Sequence, residues 1–159
     1  MIARPLFRPL FKPLFRALSG AFNVSSLFAN GEQGVWYDML INLLFQNSAG
    51  TTPVTSAGDP TGLVLDKSGN VINGAQTVSA RRPTYADTPN RLTLDKIDDQ
   101  INIQVPTGGW VGSMVLATDE GTASYGIDMS AGTYVLGGSQ FPGNSINNVL
   151  IREGVLSDN

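Results

Sequence analysis

The chain has 159 residues, 42% of them hydrophobic and only 14% charged, against roughly 25% charged in an average soluble domain. Eighteen glycines and nine prolines argue against a helical bundle and for short strands joined by turns. With no cysteine and no histidine, the sequence excludes disulfide frameworks, thiolate or imidazole metal sites, and Ser-His-Asp or Cys-His catalysis. The expectation is a protein that is not an enzyme and takes no cofactor.

Charge divides the chain in two. Arg4, Arg8, Lys12 and Arg16 are four of the ten basic residues, and no acid occurs before Glu32. The remainder carries the other six basic residues against all thirteen acids, so a basic leader precedes an acidic body. The leader is a four-residue repeat of cation, proline, leucine and phenylalanine: Arg4-Pro5-Leu6-Phe7, Arg8-Pro9-Leu10-Phe11, Lys12-Pro13-Leu14-Phe15, decaying at Arg16-Ala17-Leu18-Ser19. Proline fixes φ, removes an amide donor and keeps the preceding residue out of the α region, so no α-helix runs through Pro5, Pro9 and Pro13. The spacing predicts an extended, polyproline-like arm that reaches on the order of 50 Å over sixteen residues.

Cations at every fourth position leave no apolar run long enough for a signal peptide, and the prolines exclude an amphipathic membrane helix. A disordered tail in the isolated chain is the plain alternative. Against it, burying Leu6, Phe7, Leu10, Phe11, Leu14 and Phe15 gives on the order of 10 kcal/mol gross, before ordering costs. Nucleic acid would call for denser cations and less aliphatic bulk. The arm and its linker, residues 1–26, are therefore expected to anchor in a protein groove, with no nucleic acid and no membrane insertion, and residues 27–159 to form the folded body.

In the body, Trp36, Met39, Leu40, Leu43 and Leu44 follow helical spacing and predict one short helix from Trp36 to Phe45. Turn chemistry follows at Gly50 to Pro53, Gly58 to Gly62 and Ser68-Gly69-Asn70. From Arg91 to Val105 the apolar positions Leu92, Leu94, Ile97, Ile101, Ile103 and Val105 alternate with polar ones, broken at Asp98-Asp99, and predict half-buried strands. Val111 to Ala117, Ser124 to Met129, Thr133 to Leu136 and Val149 to Glu153 are further strands, separated by glycine turns at the spacing of a small sandwich. The fold class expected is mainly β: one small β-sandwich with a short helix and an extended arm.

The run Leu27-Phe28-Ala29-Asn30-Gly31-Glu32-Gln33-Gly34-Val35-Trp36-Tyr37-Asp38 resembles the opening motif of phage tail-fibre-like virion proteins. So do residues 44–54 and 62–70, Arg82-Pro83-Thr84-Tyr85, Leu94-Asp95 with Asp98-Asp99, the block from Met114 to Gly126, and Phe141-Pro142-Gly143. The resemblance implies a jelly-roll-like β domain, incomplete here because the stretch after Asp99 is short. It also implies a virion location in the tail after synthesis in the host cytoplasm, other virion proteins of tail, baseplate or collar as partners, a homotrimer, and support of host attachment. Leu150 to Ser157 resembles a segment that leads into further domains, so the chain is either a short member or the N-terminal part of a longer fibre.

Few residues are candidates for chemistry. Asp95, Asp98 and Asp99, and Asp119 with Glu120, are carboxylate clusters that could serve acid–base work or an oxygen-ligand cation, although acids beside turn residues are ordinarily solvated. Asp66-Lys67-Ser68-Gly69-Asn70 resembles part of a calcium loop but lacks the twelfth-position ligand and reads as a turn. Trp110, Tyr125 and Tyr134 are the candidates for stacking on a surface glycan, with burial the competing role for Trp36 and Trp110. The first functional expectation is a fibre anchored by its arm. The second is a carbohydrate-binding module, and the third a capsid decoration or collar fibre.

Overall fold

The computed structural model describes residues 23–154; the expected anchor residues, Arg4 to Arg16, lie outside the described residues. Among the described residues twelve strands run in chain order: β1 (Gly34–Asp38), β2 (Leu44–Phe45), β3 (Leu63–Val64), β4 (Gly74–Ala75), β5 (Thr84–Asp87), β6 (Asn90–Thr93), β7 (Gln100–Val105), β8 (Trp110–Thr118), β9 (Gly121–Met129), β10 (Gly132–Gly137), β11 (Ser145–Ile146) and β12 (Asn148–Glu153). They form a four-stranded sheet β1-β12-β8-β9, a five-stranded sheet β10-β7-β4-β3-β2 and a three-stranded sheet β11-β6-β5. All strand pairings are antiparallel. The fold is mainly β and sandwich-like.

One core lies between the sheets. The four-stranded sheet contributes Val35, Tyr37, Trp110, Leu116, Met129, Val149 and Ile151, alternate residues of their strands, and the other sheets contribute Leu44, Val64, Tyr85, Leu92, Ile101, Ile103, Val105, Leu136 and Ile146. Tyr37 lies across this core and donates its hydroxyl proton to the Ile72 carbonyl at 2.7 Å. Gly74 makes room for it: a Cβ there would stand 2.6 Å from Ile101 Cγ2 and 3.4 Å from the Tyr37 ring.

The expected helix from Trp36 to Phe45 is replaced by β1, a 3-10 turn at Ile41–Leu43, and β2. Val35, Tyr37 and Met39 are buried while Trp36 and Asp38 are half-buried, so period two wins over the helical reading. Isolated helices of about ten residues are marginal, whereas β1 gains a five-residue ladder with β12. Among the described residues the helical content is three 3-10 turns, the longest Val24–Phe28. The four later strands fall where alternation and glycines put them, each extended by a residue or more. Ile97 departs from its expected role: it stands 74% exposed at the tip of the Asp95–Asp99 turn.

Candidate functional site

The junction between arm and body is built by residues far apart in sequence. Asn23 caps the 3-10 turn Val24–Phe28, its side chain accepting from the Ser25 N–H, and Phe28 is buried. Arg152 of β12 reaches back to this segment. Its Nε donates to the Leu27 carbonyl at 2.7 Å and its Nη2 to Glu32 Oε1 at 3.0 Å. Glu32 Oε2 accepts from the Asn30 N–H at 2.9 Å. Backbone amides, its own and that of Asn30, lead in holding the Glu32 carboxyl down at about 2, with Arg152 adding a smaller pull. The root of the leader is therefore clasped to the sheet just before β1 begins.

The outer edge of β1 is closed by the 66–70 turn. Asp66 Oδ1 accepts from the Trp36 and Ser68 N–H groups, and Oδ2 from Ile72 N–H and Ser68 Oγ. Lys67 N–H donates to the Trp36 carbonyl, and Asn70 Nδ2 to the Gly34 carbonyl. Lys67 Nζ sits 4.0 Å from the Trp36 ring centroid and 2.8 Å from Asp38 Oδ2. With both Asp66 oxygens occupied by protein donors, the calcium-like turn acts as an edge cap.

The carboxylate clusters are similarly engaged. Oxygens of Asp95, Asp98 and Asp99 lie within 4.8 Å of one another. Asp95 Oδ1 accepts from the N–H groups of Ile97, Asp98 and Asp99, which lowers its pKa, and Asp98 pairs with Arg81 at 3.2 Å. Asp99 Oδ2 accepts from the Asp95 N–H while burial pushes its pKa up. The cluster organises a turn. Asp119 does the same elsewhere: Oδ1 accepts from the Asn144 and Ser145 N–H groups, lowering its pKa and tying the 138–145 loop to the β8–β9 turn. Lys96 Nζ donates to the Phe141 and Gly143 carbonyls from the other side.

The three aromatic glycan candidates do not share one surface. Trp110 is 1% exposed in the core, which corrects its assignment as a stacking platform. Tyr134, on β10 in the second sheet, is partly buried against that core. Only Tyr125, on β9, is exposed, at 43%. It lines a groove of about 250 Å³ with Leu116, Ala123 and Pro142. Next to it, sharing Thr118, is a polar depression of about 490 Å³ that includes Arg91, Asp119, Asn144 and Asn147. The Arg152 clasp had no local signal in the sequence, since its partners lie 125 and 120 residues away, whereas Asp66 and Asp95 find most of theirs within their own turns.

Comparisons with protein-family models, with curated proteins and with solved structures found no match.

Proposed function

We propose that the protein is a structural component of a phage virion, of the tail-fibre type, whose basic leader anchors it in a groove of a neighbouring particle protein while the β body projects outward and supports attachment to the host. The observation that carries this reading is the repeat of cation, proline, leucine and phenylalanine from Arg4 to Phe15, followed by an acidic body. Prolines limit the conformational freedom that must be lost on docking, apolar pairs supply the buried area, and cations select an acidic groove. Several such arms joined in one assembly would raise the effective concentration of each, so a modest single-arm affinity suffices for a lasting joint.

The clasp of Arg152 on Leu27 and Glu32 supports the reading, because it fastens the chain ahead of β1 to β12 through residues that follow the leader. The test is deletion of residues 1–19 in the phage genome. Particles should then lack the protein while the truncated chain accumulates as folded, soluble material. Normal incorporation of the truncated chain would overturn the anchor.

A further inference from the structure

The two edges of the four-stranded sheet are treated differently. The β1 edge is closed by Asp66, Lys67 and Asn70. The β9 edge is not: among the described residues β9 pairs with β8 alone, and no other hydrogen bond reaches the backbone of Thr122 to Asp128. Nine residues make it a long edge, and it has no proline, no lysine and no bulge in its ladder, the devices that usually block edge pairing.

Parity fixes what could pair there. The two-residue turn Asp119-Glu120 makes Thr118 and Gly121 a hydrogen-bonded pair, so odd-numbered residues of β9 aim their N–H and C=O at β8. Thr122, Ser124, Gly126 and Asp128 aim theirs outward. The odd residues place their side chains on the inner face, where Met129 is buried, Ile127 packs on the core and Tyr125 is left half uncovered.

We propose that this edge pairs with the same edge of a second copy, antiparallel about a two-fold axis through Tyr125. An axis through a residue lets outward-facing residues meet each other, and in a strand of odd length the axis through the middle residue does so over the whole strand. It sets Ser124 opposite Gly126 and Thr122 opposite Asp128 on the outer face. On the inner face it sets Gly121 opposite Met129, Ala123 opposite Ile127, and Tyr125 opposite its own copy. Small residues meet large ones at Gly121–Met129 and Ala123–Ile127, the Thr122 hydroxyl faces the Asp128 carboxylate, and the two Asp128 groups end about 20 Å apart, beyond the screening length. The shallow groove beside Tyr125, lined by Leu116, Ala123 and Pro142 together with Thr118, Glu120 and Thr122, lies next to this pairing. The open edge of the second sheet, β10, offers less: it has six residues against the nine of β9. The pairing gives two copies where the family resemblance implies three, assigns Tyr125 to the interface and not to a glycan, and does not depend on the anchor reading.

The 159-residue chain should sediment at twice its 16.9 kDa mass. Tyr125→Lys, which opposes two like charges at the axis, should raise the concentration for half-dimerisation at least about tenfold. Ser124→Pro, which removes only an outward N–H, should act in the same direction if the lysine variant fails to fold. In this cysteine-free chain Tyr125→Cys should oxidise to a single covalent dimer, because non-hydrogen-bonded pairs hold their Cα atoms at about 4.5 Å, within disulfide reach. Val71→Cys, 76% exposed elsewhere, should not. A mass of one or three chains, a dimer indifferent to Tyr125→Lys and Ser124→Pro, or Tyr125→Cys that stays reduced under oxidation would each overturn the pairing.

Discussion

Trp110 opens β8 with its ring in the core, and its Nε1 has no hydrogen-bond partner among the described residues. Burial of the ring outweighs the desolvation of one N–H, which fixes the order of two substitutions. Trp110→Ala should lower unfolding free energy by about 3–5 kcal/mol, whereas Trp110→Phe should cost much less because it also removes the unpaired donor. Urea midpoints of the two variants check this. Glu32 predicts a pH dependence. Its folded pKa of about 2 lies below the ordinary 4.5, so its contribution is complete above pH 4.5 and disappears as pH falls toward 2. Asp99 works in the opposite sense, since burial raises its pKa and protonation relieves the folded state. Glu32→Gln should flatten the acid limb of stability between pH 4.5 and 2, measured by denaturant titration across that range.

At the scale of elements, the strands from β6 to β10 were legible because alternation and glycine turns agree there. Leu92, Ile101, Ile103 and Val105 are buried as the pattern implies. The segment from Trp36 to Phe45 was not, because its apolar residues satisfy a period of 3.6 and a period of two at once, and only the distant β12 decides between them. Alternation also cannot say which face a strand buries: Trp110 and Tyr125 share the inner face of the sheet, yet one is enclosed and the other half open because β9 is the outermost strand. A signal was present in β9 itself, where Thr122, Ala123, Ser124 and Gly126 are small on both faces, as suits an edge. The 138–145 loop is held by ionised Asp119 and by Lys96, not by apolar packing alone. Asp119→Ala should therefore raise hydrogen exchange at the Asn144 and Ser145 amides by about tenfold or more, while exchange in β7 stays unchanged.

For the whole molecule, charge and stability are separable. The positive leader and the acidic body are joined at a clasp, and one core built from three sheets accounts for the described fold without the arm. Removing residues 1–19 should leave the urea midpoint of the body within experimental scatter, and should abolish any salt-sensitive binding to acidic proteins, read by ion-exchange retention and by pull-down at low and high salt. The Arg152 clasp also bears on mechanics. A pull on the chain ahead of Asn23 reaches the guanidinium before it reaches the first strand, and one side chain then holds the Leu27 carbonyl and the Glu32 carboxylate together. The Leu27 bond is loaded first and the Glu32 bond after it, with the Glu32 and Gln33 carbonyls held next by Asn70 and Glu153, so a tug on the tether meets a succession of fastenings before the adjoining ladder can peel.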